Sequence, residues 1–295
     1  MKTSQDLPLV SVVVLSYNSS STILETLDSV LYQTYSNIEL IIADDCSTDN
    51  TSVIVEKWIH NNPLLHSCFL KSEFNKGISA NANLGVSHCK GSWIKLIAAD
   101  DIMLETCIED NINYVTQNLD SKIVFSKLIC FGEEQYKLRI QEIQNGFRWD
   151  YWKLSPKQQY MLLLQGNFLT APSAFISKQL WIDLDGFDES IPFVEDWPFY
   201  IKAMKSGVKF SYLDKITVKY RIHNSFSENG NVLYIRNKQM AKLYAHKCQK
   251  QLSILFRLYC HLSNKINSRF LRFVCLGWNP YYWHVKYLLY CLNEK

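Results

Sequence analysis

The chain has 295 residues, 47% hydrophobic and 20% charged, enough for one large α/β domain plus an appendage. This composition is typical of a globular protein and excludes a disordered chain. No window offers ~18 uninterrupted apolar residues, and the N-terminus lacks a signal peptide's apolar core, so neither a spanning helix nor secretion is expected. Nine cysteines with no CxxC pair and no zinc spacing favour reduced thiols in a cytoplasmic protein.

The net charge of +3 is unevenly distributed. Residues 231–295 carry eleven Lys/Arg and one Glu, a net charge of +10. The first 230 residues carry 20 Lys/Arg and 27 Asp/Glu, a net charge of −7. An asymmetry of this kind indicates an anionic partner for the C-terminal extension alone.

The first hundred residues alternate between strand and helix patterns. Such alternation predicts right-handed crossovers and a parallel sheet, typical of a nucleotide-binding α/β half over residues 8–102. The predicted strands are 10–15, 38–43, 64–70 and 93–99, and the predicted helices between them are 23–31, 49–59 and 79–89.

Two of these strands end in paired carboxylates, Asp44-Asp45 and Asp100-Asp101. Ligands of open α/β sheets bind just outside the carboxyl ends of the strands. Adjacent acids there are costly unless a cation or hydrogen-bond donors offset their charge, and hard oxygen ligands suit Mg²⁺ or Mn²⁺. The alternative is that each pair caps the following helix.

The second half continues the same patterns less regularly. Residues 132–152 are polar and predict an irregular, mobile loop. Elements are predicted at 104–119 (helix), 123–131 (strand), 156–165 (helix), 167–176 (extended), 178–184 (helix), 193–205 (helix), 208–213 (strand) and 217–222 (strand).

Several well-known catalytic motifs are absent from the sequence. Ser16-Tyr17-Asn18-Ser19 follows the first strand where a dinucleotide-binding protein would have GxGxxG. GxxxxGK[ST], GxSxG and HExxH are missing as well, so no motif supports a P-loop protein, an α/β-hydrolase or a zincin.

An ordered series of motifs over residues 9–227 resembles the family-two inverting glycosyltransferases of bacterial polysaccharide biosynthesis. The motifs are VSVVVLSYN, DSVLYQTYSNIELIIADDCSTDNT, NKGISANANLG, AADD, GFDE, VEDW and YRIH. The resemblance implies the GT-A fold, a mostly parallel central sheet flanked by helices. It also implies transfer of a sugar from a nucleotide-sugar with the help of Mn²⁺ or Mg²⁺. The glycosyltransferase domain would span residues 1–230, with 103–230 as its acceptor half. Residues 231–295 would form a helical extension.

The resemblance also implies roles for residues around the nucleotide-sugar donor. Asp44 or Asp45 would bind the base, and a carboxylate that accepts from uracil N3–H favours UDP. Asp101 is assigned to the metal and Asp100 to the ribose or the metal. The remaining donor contacts would be Ser16 and Tyr17 at the base and ribose, with Gly77 passing close to the nucleotide.

Asp196 of the Glu195-Asp196 pair would be the catalytic base that takes the acceptor hydroxyl's proton. The alternative is that both acids simply favour a helix start. His223 would be a third metal ligand or a diphosphate contact, although a lone His is often structural. Arg221 and Lys76 would contact phosphate. Trp149, Trp152 and Trp197 are candidates for an acceptor platform or for plain core packing.

Two positions depart from the family pattern. Ala98 stands where many relatives carry an acid, which leaves the metal-binding role to Asp100 and Asp101. Ala82-Asn83 replaces a common Arg-Asn, so a positive donor contact is missing or Lys76 supplies it. These departures support an alternative, a degenerate nucleotide-sugar-binding protein. A sugar-nucleotide pyrophosphorylase is a second alternative, but it would need a Gly-rich, basic loop after the first strand.

The extension 231–295 combines its charge with twelve aromatic residues. Basic and aromatic residues together predict peripheral contact with anionic lipid, which would place the enzyme at the inner face of the cytoplasmic membrane with a lipid-linked or glycan acceptor. No recognised nucleic-acid motif accompanies it, so no nucleic acid partner is expected. The alternative is a helical subdomain that packs on protein.

Overall fold

The computed structural model describes residues 7–223 except 139, 142–148, 165 and 192–193; for 149–150 the backbone alone is described. The predicted extension 231–295 lies outside the described residues, as does part of the predicted loop 132–152. The described strands are Val10–Ser16 (β1), Ile38–Asp44 (β2), Ser67–Lys71 (β3), Trp93–Ala98 (β4), Ile102–Met103 (β5), Ile123–Phe131 (β6), Ala174–Ser177 (β7) and Ser211–Arg221 (β8). The described α-helices with stated bounds are Ile23–Leu31 (α1), Thr51–Asn61 (α2), Ile78–Ser87 (α3), Cys107–Gln117 (α4), Pro156–Leu163 (α5), Lys178–Asp183 (α6) and Asp196–Lys205 (α7).

These strands form an eight-stranded mixed sheet in the order β3-β2-β1-β4-β7-β6-β8-β5. The β3-β2-β1-β4 half is parallel, as predicted. All residues of β2 and nearly all of β1 are buried, since helices cover both faces of a parallel sheet. β7 is antiparallel to both β4 and β6, and β8 is parallel to β6. The carboxyl ends of β1, β2, β4, β6 and β8 therefore share one edge.

The short strand β5 fixes the position of the segment that follows β4 at that edge. It pairs with β8 so that Ile102 lies opposite Lys219 and Met103 opposite Val218. This pairing brings the end of β8 back beside the acids that follow β4. A two-residue strand carries too little pattern to be recognised in a sequence, and it was not predicted.

Close packing of α3 on the sheet depends on a glycine. A Cβ at Gly85 would lie 2.5 Å from Cγ1 of Val13, so only a residue without a side chain fits there. The core on the opposite face of the sheet is aliphatic, with Val10, Val12 and Val14 of β1 fully buried. The parallel half of the sheet thus supports the loops at its carboxyl edge.

The described part of residues 103–230 differs from the prediction in detail. The strands predicted at 208–213 and 217–222 form one strand, β8, whose pairing with β6 shifts register around Lys127. Such an irregularity lets one long strand bend. Tyr151, inside the segment predicted to be a mobile loop, is fully buried. None of the helices in the described ranges is long and apolar enough to cross a membrane.

Candidate active site

The loop after β1 and the loop after β2 are joined by hydrogen bonds into one wall of the site. The Asn18 backbone N–H donates to Ser47 Oγ at 2.8 Å, and the Thr48 N–H donates to Asn18 Oδ1 at 2.8 Å. Asn18 itself adopts a positive φ of 49°, a conformation that Asn tolerates. Beside this wall the Tyr17 side chain is 49% exposed. Its ring is therefore available to a planar ligand.

Asp44 is fully buried and fixes the end of β2 to its surroundings. Its Oδ1 accepts from Ser16 Oγ at 2.8 Å and from Ser47 Oγ at 2.5 Å, and its Oδ2 accepts from the Ser47 N–H at 2.8 Å. Ser16 is buried as well. The structure thus brings these two predicted donor residues together.

Asp45 fixes the turn that precedes α3. Its two oxygens accept from the backbone N–H groups of Lys76 and Gly77, each at 2.8 Å. Gly77 has a φ of 87°, which a side chain would oppose. The Lys76 side chain is exposed, with Nζ 4.8 Å from the ring centroid of Phe74. Asp45, which is itself buried, therefore attaches the Lys76–Gly77 turn to the end of β2.

Asp101 is 1% exposed and is held by β8. Its Oδ1 accepts from the Arg221 backbone N–H at 2.9 Å, and its carbonyl accepts from Thr26 Oγ1 at 2.8 Å. Burial raises the pKa of Asp101 well above its usual value, and the charge of Asp100 adds to this. The Asp101 side chain thus faces the protein interior.

Asp100 lies more openly, beside His223. The Asp100 side chain is 28% exposed and that of His223 43%, and His223 Nε2 lies 2.7 Å from Asp100 Oδ2. The Arg221 side chain donates to the Asp100 carbonyl through Nε at 2.8 Å and to Glu25 Oε2 through Nη2 at 2.8 Å. It also lies over the Phe131 ring at 4.4 Å. Arg221 therefore fixes the Asp100 backbone.

The Asp100–His223 pair fits part of a divalent metal site. A carboxylate oxygen and an imidazole nitrogen converge at one partly exposed point, and both are ligands that Mn²⁺ accepts. The described residues contain no cluster of three or more His, Cys, Asp or Glu around such a point. A metal there would take its remaining ligands from a diphosphate and water, as Mg²⁺ and Mn²⁺ commonly do.

Asp196 begins α7, and its Oδ2 accepts from Asn167 Nδ2 at 2.8 Å. Burial raises the pKa of Asp196 to about 6, although the Asn167 hydrogen bond opposes the rise. Burial, with the charge of Asp196, raises the pKa of Glu195 in the same direction. A carboxylate with such a pKa can exchange protons near neutral pH.

Tyr220 links the two acidic centres. Burial raises the pKa of its phenol, and the charges of Asp101, Asp100 and Asp196 raise it further. The phenol is therefore within electrostatic reach of both centres. The structure brings the predicted metal residues together after β4 and β8, and Tyr220 is within electrostatic reach of them and of the predicted base.

The segment that departs from the family pattern has a structural role. Asn83 accepts from the Phe187 N–H at 2.9 Å and donates to the Phe187 carbonyl at 2.9 Å. The GFDE turn is thereby attached to α3. Ala82 is fully buried. An arginine there would have to displace core atoms.

Two of the three candidate platform tryptophans pack against protein. Trp197 is buried and its indole N–H donates to the Leu163 carbonyl at 2.7 Å. Trp152 stacks on Tyr212. The Trp149 side chain lies outside the described residues.

Sequence reasoning missed two residues that support the site. Asn167, which holds Asp196, lies in an extended segment with no motif of its own. Lys95 is fully buried in β4, and its Nζ donates to the Pro172 carbonyl at 2.5 Å and the Ala174 carbonyl at 3.3 Å. Lys95 could have been singled out from the sequence, since it is a lone cation in an apolar strand.

The chain has relatives among characterised glycosyltransferases. It is 28% identical over 221 residues to a chondroitin synthase of Escherichia coli, covering 75% of this chain but 30% of that protein. It is 26% identical over 251 residues to WfaP of E. coli, a UDP-Glc:alpha-D-GlcNAc-diphosphoundecaprenol beta-1,3-glucosyltransferase, covering 84% of this chain and 91% of that protein.

Solved structures confirm the predicted GT-A fold. S. aureus TarS 1–349 in complex with UDP-GlcNAc superimposes with a TM-score of 0.65 at 20% identity, over 86% of this chain and 73% of that chain. The mannosyltransferase PcManGT of Pyrobaculum calidifontis, in complex with GDP-Man and Mn²⁺, gives a TM-score of 0.60 at 17% identity, over 88% and 72%. The family model of Glycosyl transferase family 2 matches residues 11–183. This match covers more than half of the chain, which therefore belongs to glycosyl transferase family 2.

Proposed function

We propose that this chain is a metal-dependent, inverting glycosyltransferase that moves a sugar from a UDP-sugar to a glycan or lipid-linked acceptor in surface polysaccharide synthesis. One observation carries the proposal. Asp100, which pairs openly with His223, and Asp196, whose carboxyl pKa is raised, both raise the pKa of the Tyr220 phenol, so the two acidic centres are near each other. The first suits a diphosphate–metal complex and the second suits proton removal.

The donor would lie against the wall that the loops after β1 and β2 form together. The exposed Tyr17 ring offers a stacking face for the base. Each Asp45 oxygen accepts one backbone N–H, which leaves lone pairs for the N3–H of uracil. Asp44 is the other candidate for that contact. WfaP, named for a UDP-Glc donor, and TarS, solved with UDP-GlcNAc, support UDP as the nucleotide.

The metal role falls to Asp100 and His223 in this proposal, with Asp101 in support. Asp101 holds the Arg221 backbone, and this keeps the chain that leads to His223 beside Asp100. The sequence assigned the metal to Asp101, but its burial favours a supporting role. A bound divalent cation would neutralise the charge that builds on the leaving diphosphate.

Asp196 would act as the general base. The acceptor hydroxyl oxygen forms a bond to the anomeric carbon as the bond from that carbon to the UDP oxygen breaks. The hydroxyl proton passes to an Asp196 oxygen, while Asn167 holds Oδ2. Attack from the face opposite the leaving group inverts the anomeric centre.

The extension 231–295, with its net charge of +10, would hold the enzyme at an anionic membrane face. The WfaP acceptor, a diphosphoundecaprenol, supports a lipid-linked substrate. Packing of the extension on protein is the competing possibility.

A binding and turnover experiment tests the proposal. Thermal shifts are recorded for a panel of UDP- and GDP-sugars with and without Mn²⁺, and release of free nucleotide is followed over time. A UDP-sugar should stabilise the protein more with Mn²⁺ and be turned over slowly. Binding without turnover, even with acceptor extracts, would favour the degenerate binding protein. No binding of any nucleotide-sugar would contradict the proposal.

A further inference from the structure

Lys95 is a buried lysine to which the proposed mechanism gives no role. It lies in β4 with no exposed surface, and burial lowers the pKa of its amine below the usual value. Burying such a group is costly unless it is hydrogen-bonded. An apolar side chain of similar length would fill the same space without that cost. A role for Lys95 must therefore come from the contacts of its amine.

The Lys95 amine holds the turn that leads into β7. The ladder between β4 and β7 stops at the pair Ile94↔Ile176. Beyond that point, Lys95 Nζ donates to the Pro172 carbonyl at 2.5 Å and to the Ala174 carbonyl at 3.3 Å. The side chain thus ties the turn to β4 where the two backbones no longer pair.

Strand β6 holds the same turn from its own side. Ser126 Oγ donates to the Ser173 carbonyl at 3.3 Å, and it lies 2.6 Å from Thr217 Oγ1 of β8. All three of these residues are buried. The turn is therefore fixed by side chains from both β4 and β6.

Short hydrogen bonds connect this turn to the candidate base. The N–H and the Oγ of Ser173 both donate to the Thr170 carbonyl, at 3.0 and 2.8 Å. The Leu169 N–H donates to Asn167 Oδ1 at 3.1 Å. Asn167 Nδ2 in turn donates to Asp196 Oδ2 at 2.8 Å. The segment between Asn167 and Ser173 is thus anchored in the sheet at one end and holds Asp196 at the other.

We propose that Lys95 is a positioning residue for sugar transfer, which anchors the 171–174 turn so that Asn167 can hold Asp196. The inference rests on the proposed function, because it assumes that Asp196 accepts the acceptor's proton. Lys95 itself would touch neither the donor nor the acceptor. Its loss should therefore affect the base and leave the binding of UDP and Mn²⁺ unchanged.

Hydrogen exchange of the full chain tests the anchor directly. Lys95→Met removes the amine with little change in side-chain length, and Val10→Ala, a buried change at the amino end of β1, controls for loss of core packing. Exchange in peptides over 167–174, which contain the bonded N–H groups of Leu169 and Ser173, should be about tenfold faster in Lys95→Met. It should stay at the wild-type rate in Val10→Ala. Equal exchange in Lys95→Met and wild type would overturn the anchor.

Transfer kinetics test the connection to Asp196. Lys95→Met should move the acidic limb of the kcat profile to higher pH by up to about one unit, and lower kcat at pH 6 roughly two- to fivefold, because less of Asp196 is ionised. Combined with Asn167→Ala, it should cause no further shift. A further shift in the double variant would contradict the proposal, because Lys95 would then act on Asp196 without Asn167.

Pro172→Gly covers the case in which Lys95→Met does not fold. It loosens the same turn without removing a buried donor, because glycine lacks the fixed φ of proline. It should accelerate exchange over 167–174 and move the acidic limb in the same direction as Lys95→Met. Wild-type behaviour of Pro172→Gly in both measurements would overturn the proposal.

Calorimetric titration with UDP and Mn²⁺ separates this role from one at the metal site. Lys95→Met should keep the wild-type affinity. A loss would mean that Lys95 acts through Asp101, whose charge attracts it, and would contradict the proposal. If the wild-type chain neither binds nor transfers from any nucleotide-sugar, the proposed function fails instead, and hydrogen exchange still decides whether Lys95 holds the turn.

Discussion

Asn167 Nδ2 lies 2.8 Å from Asp196 Oδ2 and joins the segment after α5 to the first turn of α7. The Asn167 Oδ1 atom in turn accepts from the Leu169 N–H at 3.1 Å, which fixes the amide orientation. The Asn167 amide therefore holds Asp196 Oδ2, and the backbone N–H groups of Asp196 and Trp197 also donate to the carboxylate. A hydrogen bond of this kind stabilises the ionised form of Asp196.

Asn167→Ala should raise the pKa of Asp196 above about 6, because it removes a donor to the carboxylate. A base must be ionised, so transfer activity falls as pH decreases through its pKa. We expect the acidic limb of the kcat profile to move to higher pH by about one unit, with kcat at pH 7 reduced roughly twofold because less of Asp196 is ionised. Asn113→Ala, an exposed control, should leave the profile unchanged. An unchanged limb in Asn167→Ala would remove Asn167 from the mechanism.

Asp196→Asn should leave donor binding nearly intact and reduce transfer by ~10²-fold or more, as expected for loss of a general base. The amide keeps the size of the carboxylate but cannot accept the acceptor's proton. UDP-sugar affinity by calorimetry and UDP release in the presence of acceptor provide the two readouts. Transfer at a near wild-type rate would mean that Asp196 merely begins a helix.

Much of the fold could be predicted because its signals are local. Long β-branched runs and helical periodicity place β1, β2, β4 and the intervening helices within a few residues of the structure. The short strand β5 and the irregular pairing of β8 depend on contacts between residues 87 to 117 positions apart in the sequence, from Val124↔Ser211 to Ile102↔Lys219. No local pattern encodes such pairing.

For the site, the sequence predicts which chemical groups are present but not how they are oriented. Adjacent acids after β4 predict a cation-binding function, yet the sequence cannot show which one faces outward. The pairing of β5 with β8 decides it, since the Arg221 N–H binds Asp101 and leaves Asp100 beside His223. The Asn167 contact is likewise set by tertiary structure.

Asp100→Asn should abolish the increase in UDP affinity that Mn²⁺ causes, because it removes the more exposed carboxylate of the Asp100–His223 pair. His223→Ala should reduce the same increase. Asp101→Asn is the matched control, since its amide can still accept from the Arg221 N–H and it lies beneath the site. Calorimetric titration of each variant with UDP, with and without Mn²⁺, measures the increase in affinity. Loss in Asp101→Asn with retention in Asp100→Asn would restore the assignment made from the sequence.

Glu195 should reduce stability as pH rises. Its pKa is raised by burial from 4.5 to about 8, so the folded state holds the proton more tightly than the unfolded chain does. The contribution of Glu195 to the free energy of unfolding is therefore fully present below about pH 4.5, and it is lost as the pH rises towards 8. Glu195→Gln should raise Tm by a few degrees at pH 8 and change it little at pH 4. The exposed Glu56→Gln should alter Tm at neither pH. Equal Tm values for Glu195→Gln and wild type at pH 8 would contradict this.

The last prediction concerns the extension, where eleven basic residues stand against one acid. Each basic residue near an anionic bilayer contributes about 1 kcal/mol, so replacing three of them should weaken binding roughly 10²-fold. The test variant is Lys265→Gln, Arg269→Gln and Arg272→Gln together. Its control, Lys57→Gln, Lys90→Gln and Lys122→Gln, removes the same charge from exposed positions of the catalytic part.

Sedimentation with vesicles of anionic lipid separates the two triple variants. The full chain should sediment in a partly salt-sensitive way, because screening at 1 M salt shortens the Debye length to ~3 Å, whereas inserted aromatic side chains resist salt. The control should behave as wild type, and the variant in the extension should lose the salt-sensitive part. If both triples sediment alike, the charge of the extension does not drive lipid binding, and the extension is then better explained as a surface that packs on protein.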